Sequence, residues 1–234
     1  MSGIFYGVGL GPGDPELVTV KALKILKQVD RIFAPASRDS RSLAGEIINY
    51  HLPASPIEYL EFPMIEDRIR LELAWDDAAA KVGPCLDKMD VAFVTLGDPL
   101  LYGSYLYLYQ RIRDNYPLVE IVTIPGLPGF CAAAARSNFY LTKDNDRLLL
   151  LTGRTEPAEF QEYCRNHETI VVYKPRNNFQ ELVHSFLEIC PDGSGTIIKR
   201  CGMAGEKIID LREFNQSEAD YFTIAIFHPN RHEK

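Results

Sequence analysis

One pattern constrains the fold of this chain more than any other. Three times, an apolar β-type run leads through a glycine- and proline-rich turn into a helical pattern. The runs are residues 4–10, 91–96 and 118–124, and the turns that follow carry Gly7-Val8-Gly9-Leu10-Gly11-Pro12-Gly13-Asp14-Pro15, Gly97-Asp98-Pro99 and Pro125-Gly126-Leu127-Pro128-Gly129. Two more runs, 31–34 and 57–62, lie between helical patterns at 19–29, 43–50, 69–89 and 103–114. Strands alternating with helices in this way make βαβ units, and these build a parallel sheet. Residues 91–96 are apolar but for Thr95, as a central strand covered on both faces would be.

The second half reads differently. Two prolines and two glycines in residues 124–129 mark a domain boundary, which predicts an N-terminal domain over 1–123 and a C-terminal domain over 124–234. After an alanine-rich helix at 130–136, strands are expected at 147–152, 169–173, 195–200, 207–211 and 221–227. The last three follow one another through short polar connections, so that end of the sheet is expected to be antiparallel. Asn178 with Glu181 three residues on has the form of a capping box opening a helix to about residue 189. The fold class is therefore α/β, with two αβα domains, a mostly parallel N-terminal sheet and a mixed C-terminal one.

The three turns sit where ligands bind in open α/β sheets, outside the carboxyl ends of the strands. The glycine spacing of the first turn fits neither a dinucleotide fingerprint nor a phosphate loop. Its two prolines remove N–H groups and Asp14 would repel a phosphate, so a neutral or cationic ligand suits it better. A tight turn with no ligand is the other reading. Asp98 in the second turn suits a ribose hydroxyl, an amine or a sulfonium; capping the next helix is the alternative. The third turn reads equally as a ligand-approach turn or as an interdomain hinge.

Charge and cysteines narrow the function classes. A formal charge of −7 opposes loose binding to nucleic acid or anionic membranes. The apolar runs are far shorter than the roughly 20 residues of a membrane span, and the N-terminus has no basic-then-apolar signal, so a cytoplasmic location is expected. The five cysteines form no C-x-x-C pair, which signals neither a zinc site nor a disulfide framework but reduced, mostly buried thiols. No metal site is expected: His228 and His232 are four apart, but in a polar tail that reads as a frayed terminus. Asn215-Gln216-Ser217 matches a glycosylation sequon, read as a chance match without a secretory signal.

Taken together, the three turns resemble the tetrapyrrole methylases, enzymes that methylate the macrocycles of corrin and sirohaem biosynthesis using S-adenosylmethionine. The family pattern of Gly-x-Gly-Pro-Gly-Asp, then Gly-Asp-Pro, then Pro-Gly occurs here in order. Leu60-Glu61-Phe62-Pro63-Met64, Trp75 with its alanines, and Cys131 to Arg136 resemble the branch that acts on C-20 of precorrin-2 or cobalt-factor II. The resemblance implies two αβα domains of the class III methyltransferase type, the cofactor in the cleft between them, S-adenosylhomocysteine as product, and a homodimer. It also implies cofactor contacts from Pro12, Leu96, Gly97, Asp98, Leu101, Tyr102, Pro128, Gly129, Lys174, Met203 and Ala204. Pro128 and Gly129 stand where relatives more often carry a hydroxyl and a small residue, and Lys174 where many have methionine.

Methyl transfer from a sulfonium to carbon is an in-line displacement, so alignment in a water-poor site supplies most of the catalysis. A carboxylate beside the sulfur would stabilise the cation more than the transition state, which places Asp98 at the cofactor's polar periphery. Asp98 and Tyr102 are the candidates for the group that accepts a proton. A tetrapyrrole substrate is a polycarboxylate, and Arg38, Arg41 and Arg176 are candidates to meet it; solvated surface charges are the alternative. The competing functions are methylation of another corrin position, uroporphyrinogen III, ribosomal RNA or the diphthamide precursor, and a non-catalytic relative that kept only the cofactor site. The acidic balance argues against RNA.

Overall fold

A computed structural model describes residues 2–36, 42–175, 178–215 and 219–229. They divide into two units, Met1–Pro128 and Gly129–Lys234.

The first unit is built on strands β1 (Ile4–Gly9), β2 (Arg31–Ala36), β3 (Ile57–Glu61), β4 (Val91–Thr95) and β5 (Glu120–Ile124). Their order is β3-β2-β4-β1-β5, and every neighbouring pair is parallel. All five residues of β4 are buried, as its run of four apolar residues before Thr95 predicts. The two-residue period of a strand splits that run between two cores. Val91 and Phe93 pack with α3 (Arg68–Val82) and α4 (Tyr105–Asn115), whereas Ala92 and Val94 pack with α1 (Val20–Leu26) and α2 (Leu43–His51). Full burial of one such side chain as Phe93 contributes roughly 2–3 kcal/mol.

Side-chain caps set the helix starts. Thr19 accepts from the Ala22 N–H at 3.1 Å to open α1, and Asp67 accepts from the Ile69 and Arg70 N–H groups at 3.0 and 3.2 Å to open α3. The predicted helix over 69–89 stops earlier, at Val82, and continues only as a short 3-10 turn, Gly83–Asp87. Pro84 is the cause, since it has no N–H to donate to the carbonyl four residues back.

The second unit starts with α5 (Gly129–Ser137), followed by β6 (Leu148–Thr152), α6 (Pro157–Asn166), β7 (Thr169–Tyr173), α7 (Phe179–Ile189), β8 (Ser194–Lys199), β9 (Lys207–Asp210) and β10 (Thr223–His228). The sheet order is β6-β7-β10-β8-β9; β6 and β7 are parallel and the other pairs antiparallel. Phe160 of α6 and Phe186 of α7 each lie 5.1 Å from the ring of Phe227 on one face. On the other face Gly129 of α5 meets Ile224. Both units are thus αβα layers.

Two expectations need correction here, and one element was not foreseen: helix α6, which Pro157 opens at its first turn without a side-chain cap from Glu156. Asn178 stands at the start of α7 but forms no capping box; its amide instead donates to the Thr155 carbonyl at 3.0 Å. His228 is not in a frayed tail: it pairs with Ser194 in β10, is 3% exposed, and lies 4.3 and 4.7 Å from the rings of Phe139 and Tyr140. The sheet register, which the sequence pattern does not reveal, draws it inside.

No helix among the described residues is long and apolar enough to cross a membrane, and none of the described residues form a metal-holding cluster. Cys164 and Cys201 are buried, and Cys85, Cys131 and Cys190 are half-buried. Burial pushes the Cys131 and Cys190 thiols up and that of Cys164 up to about 12, which favours the protonated form.

Candidate functional site

Because β1 lies between β4 and β5, all three glycine turns of the first unit leave adjacent carboxyl ends of one sheet. The helices after β1 and after β4 lie on opposite faces, which makes this edge a topological switch point, where α/β sheets open a ligand crevice.

The turns are tied to one another largely through backbone. Leu10 N–H donates to the Thr95 carbonyl at 2.9 Å, and Gly97 N–H donates to the Gly11 carbonyl at 2.7 Å. Gly126 N–H donates to Asp98 Oδ2 at 3.1 Å, and Leu100 N–H donates to Asp98 Oδ1 at 2.9 Å. The first-turn glycines prove to have separate roles. Gly7 makes room for the ring of Tyr105, whose hydroxyl lies 2.8 Å from Thr123 Oγ1; this glycine serves packing rather than a ligand. A β-carbon on Gly9 would lie 2.5 Å from the Gly126 nitrogen and 2.7 Å from the Gly97 oxygen, so its absence lets the three turns meet. Gly11 and Gly97 have φ of +75° and +69°, which L side chains adopt only with strain. Gly97 differs from the others in one respect: a β-carbon there would meet nothing within 4 Å, so its outer face borders open space.

The remaining first-unit candidates surround this point in the chain. Pro12 is buried; Leu96, Asp98 and Leu101 are half-buried; Tyr102 is 41% exposed with φ of +51°. Such strain in a tyrosine is uncommon and clusters at functional turns. Asp98 does not cap α4, which starts only at Tyr105. Pro128 ends the first unit, half-buried.

Within the second unit, Gly129 opens α5, and the Phe130 N–H donates to the Tyr173 hydroxyl at 3.1 Å. Alanines 132 to 134 of α5 are buried. Lys174 follows β7 with φ of +51°, its Nζ 4.8 Å from the centre of the Tyr221 ring. Met203 and Ala204 lie in the turn between β8 and β9, where Arg200, Gly202 and Gly205 have φ of +52°, +71° and +81°. Glu206 holds that turn: its carboxylate accepts from the Gly202 N–H at 2.7 Å and from the Arg136 guanidinium at 2.6 and 3.1 Å. Arg136, followed by the Gly202 N–H, keeps the Glu206 carboxyl below the usual carboxylate range. No motif marks Glu206, because its partner is 70 residues away. Arg38, Arg41 and Arg176 lie outside the described residues.

The sequence profile of the tetrapyrrole (corrin/porphyrin) methylases matches residues 5–214. The chain belongs to this family. It is 36% identical over 225 residues to a protein of Methanocaldococcus jannaschii described as a probable cobalt-precorrin-2 C(20)-methyltransferase, covering 94% of each chain. It is 29% identical over 240 residues to the precorrin-2 C(20)-methyltransferase of a Sinorhizobium species, covering 97% of each. The fold of this methylase is that of uroporphyrin-III C-methyl transferase from Thermus thermophilus, solved in complex with S-adenosylhomocysteine, with a TM-score of 0.65, 19% identity and 97% of each chain covered.

Proposed function

We propose that this chain transfers the methyl group of S-adenosylmethionine to C-20 of precorrin-2 or its cobalt chelate, a step of cobalamin biosynthesis. The observation that carries the reading is the full-length likeness to relatives bearing that name, joined to a preassembled glycine edge at the switch point of the first unit. The edge fits the cofactor: the open face of Gly97 is a space a side chain would fill, and the prolines and Asp14 of the first turn disfavour a phosphate ligand.

When bound, S-adenosylmethionine supplies an electrophilic methyl group on a positively charged sulfur. Leu96, Gly97 and Pro12 would hold it, presenting backbone and apolar surface rather than a charge that would favour the ground-state cation. Their work is orientation, since alignment of reacting atoms supplies several kcal/mol of an in-line displacement. Both carboxylate oxygens of Asp98 are engaged by backbone N–H groups, which gives this side chain a structural part in the turn. Tyr102, strained and partly exposed beside this turn, is proposed as the relay for the proton that leaves the methylated carbon, its hydroxyl passing its own proton to solvent as it takes up that one. Arg38, Arg41 and Arg176 are proposed to meet the carboxylates of the macrocycle, which a chain of charge −7 must attract locally.

The test is anaerobic incubation with S-adenosylmethionine and either precorrin-2 or cobalt-factor II. A gain of one methyl group by mass spectrometry is expected with one of them, and no gain with either would overturn the substrate assignment.

A further inference from the structure

Asp98 is the charged side chain that bridges two turns of the glycine edge, and its surroundings assign it a role that charge alone would not suggest. Its two oxygens point to different turns. Oδ1 takes the Leu100 N–H of its own turn at 2.9 Å, and Oδ2 takes the Gly126 N–H of the turn after β5 at 3.1 Å. Strand β1 separates β4 from β5, so no ladder bond joins these two ends, and Asp98 spans the gap. Contact there is close: a β-carbon on Gly126 would run into the Gly97 oxygen and lie 2.8 Å from the Gly9 α-carbon. On the other side, the Gly97 N–H is fixed to the Gly11 carbonyl. Gly97, whose outer face is open, is therefore held from both sides.

We infer that Asp98 is a positioning residue, a clasp that locks the turn after β5 onto the turn after β4 and so shapes the Gly97 surface before any ligand arrives. On this view its side chain acts on the cofactor through Gly126 and Gly97 rather than by touching it. The inference rests on the proposed cofactor site, but the clasp itself is a property of the unliganded protein. Without it, the turns sample arrangements that do not bind, and the ligand must select the competent one. Apparent affinity then falls by the competent fraction, while turnover at saturation is kept.

The variants are Asp98→Ala, which removes both acceptors, and Asp98→Asn, which keeps the size and one acceptor. In the unliganded protein, amide exchange by NMR should quicken about ten-fold or more at Gly126 in Asp98→Ala, as expected for loss of a charge-assisted hydrogen bond, with Leu10 unchanged. Calorimetry should then show S-adenosylhomocysteine and its analogues lacking the amino group or a ribose hydroxyl all weakened by the same factor, about ten-fold. In the methyltransferase assay KM for the cofactor should rise by that factor while kcat changes less than two-fold. Unchanged exchange at Gly126 in both variants would overturn the clasp. A weakening that vanishes for one analogue would also overturn it, since Asp98 would then contact the missing group directly. If the wild type binds no S-adenosylhomocysteine, the cofactor reading fails, and the exchange arm still decides the clasp.

Discussion

The two units hold their candidate loops in opposite ways. In the first, the turns after β1, β4 and β5 are joined by backbone hydrogen bonds and by missing β-carbons at Gly9 and Gly126, with one carboxylate across the gap. In the second, side chains distant in sequence do the holding: Arg136 reaches Glu206, the Arg200 guanidinium meets Asp220 at 2.6 Å, and Lys174 lies over Tyr221. The left-handed backbone positions lean the same way. The first unit places Gly11, Gly97 and the strained Tyr102 there, and the second mixes Gly202 and Gly205 with four residues that carry side chains, Asn138, Asp144, Lys174 and Arg200. Backbone demands of the first kind dictate residue types at fixed spacing. Side-chain pairs of the second kind can be replaced by other pairs.

That difference can be broken by substitution, and the largest effect is expected at the meeting point of the turns. Gly9→Ala would press a methyl group into the Gly126 and Gly97 backbone, so destabilisation of about 3 kcal/mol or more in urea unfolding is expected. Loss of S-adenosylhomocysteine binding by calorimetry should accompany it. Gly97→Ala has space for its methyl and suffers only the strain of φ near +69°, so about 1–2 kcal/mol is expected. If the two variants cost the same, the close-packed edge is wrong.

In the second unit, Glu206→Gln should cost no more than about 1 kcal/mol at pH 7, because Arg136 is largely exposed. Cleavage of the Arg200 to Glu206 turn by trypsin should quicken. The sign with pH follows from the lowered carboxyl. The folded state prefers ionised Glu206, so its contribution is complete above the usual carboxylate range and is lost as pH falls through the lower folded value. Wild type and Glu206→Gln should therefore converge in stability under acid; a gap that widens would contradict the ion pair. The smallest effect is expected for Lys174→Gly. Relief of strain and added unfolded-state freedom oppose each other, leaving stability within about 1 kcal/mol of wild type.

The same division explains what the sequence made legible. The parallel sheet, the buried β4 and the three turns could be read because strand periodicity and glycine spacing are local. The roles of Gly7 and Gly9 could not, since they depend on Tyr105 and Gly126, brought together only by the strand order. Glu206 and the buried His228 were invisible for a like reason: their partners are set by long-range pairing in the mixed sheet. The capping box at Asn178 failed because a carbonyl from Thr155, 23 residues earlier, offered its side chain another bond.

The most direct test of the account uses S-adenosylmethionine carrying a 13C-labelled methyl group, with precorrin-2 or cobalt-factor II under anaerobic conditions and NMR of the product. The label should appear once, on the meso carbon C-20. A label at any other carbon, or none with either macrocycle, would contradict it.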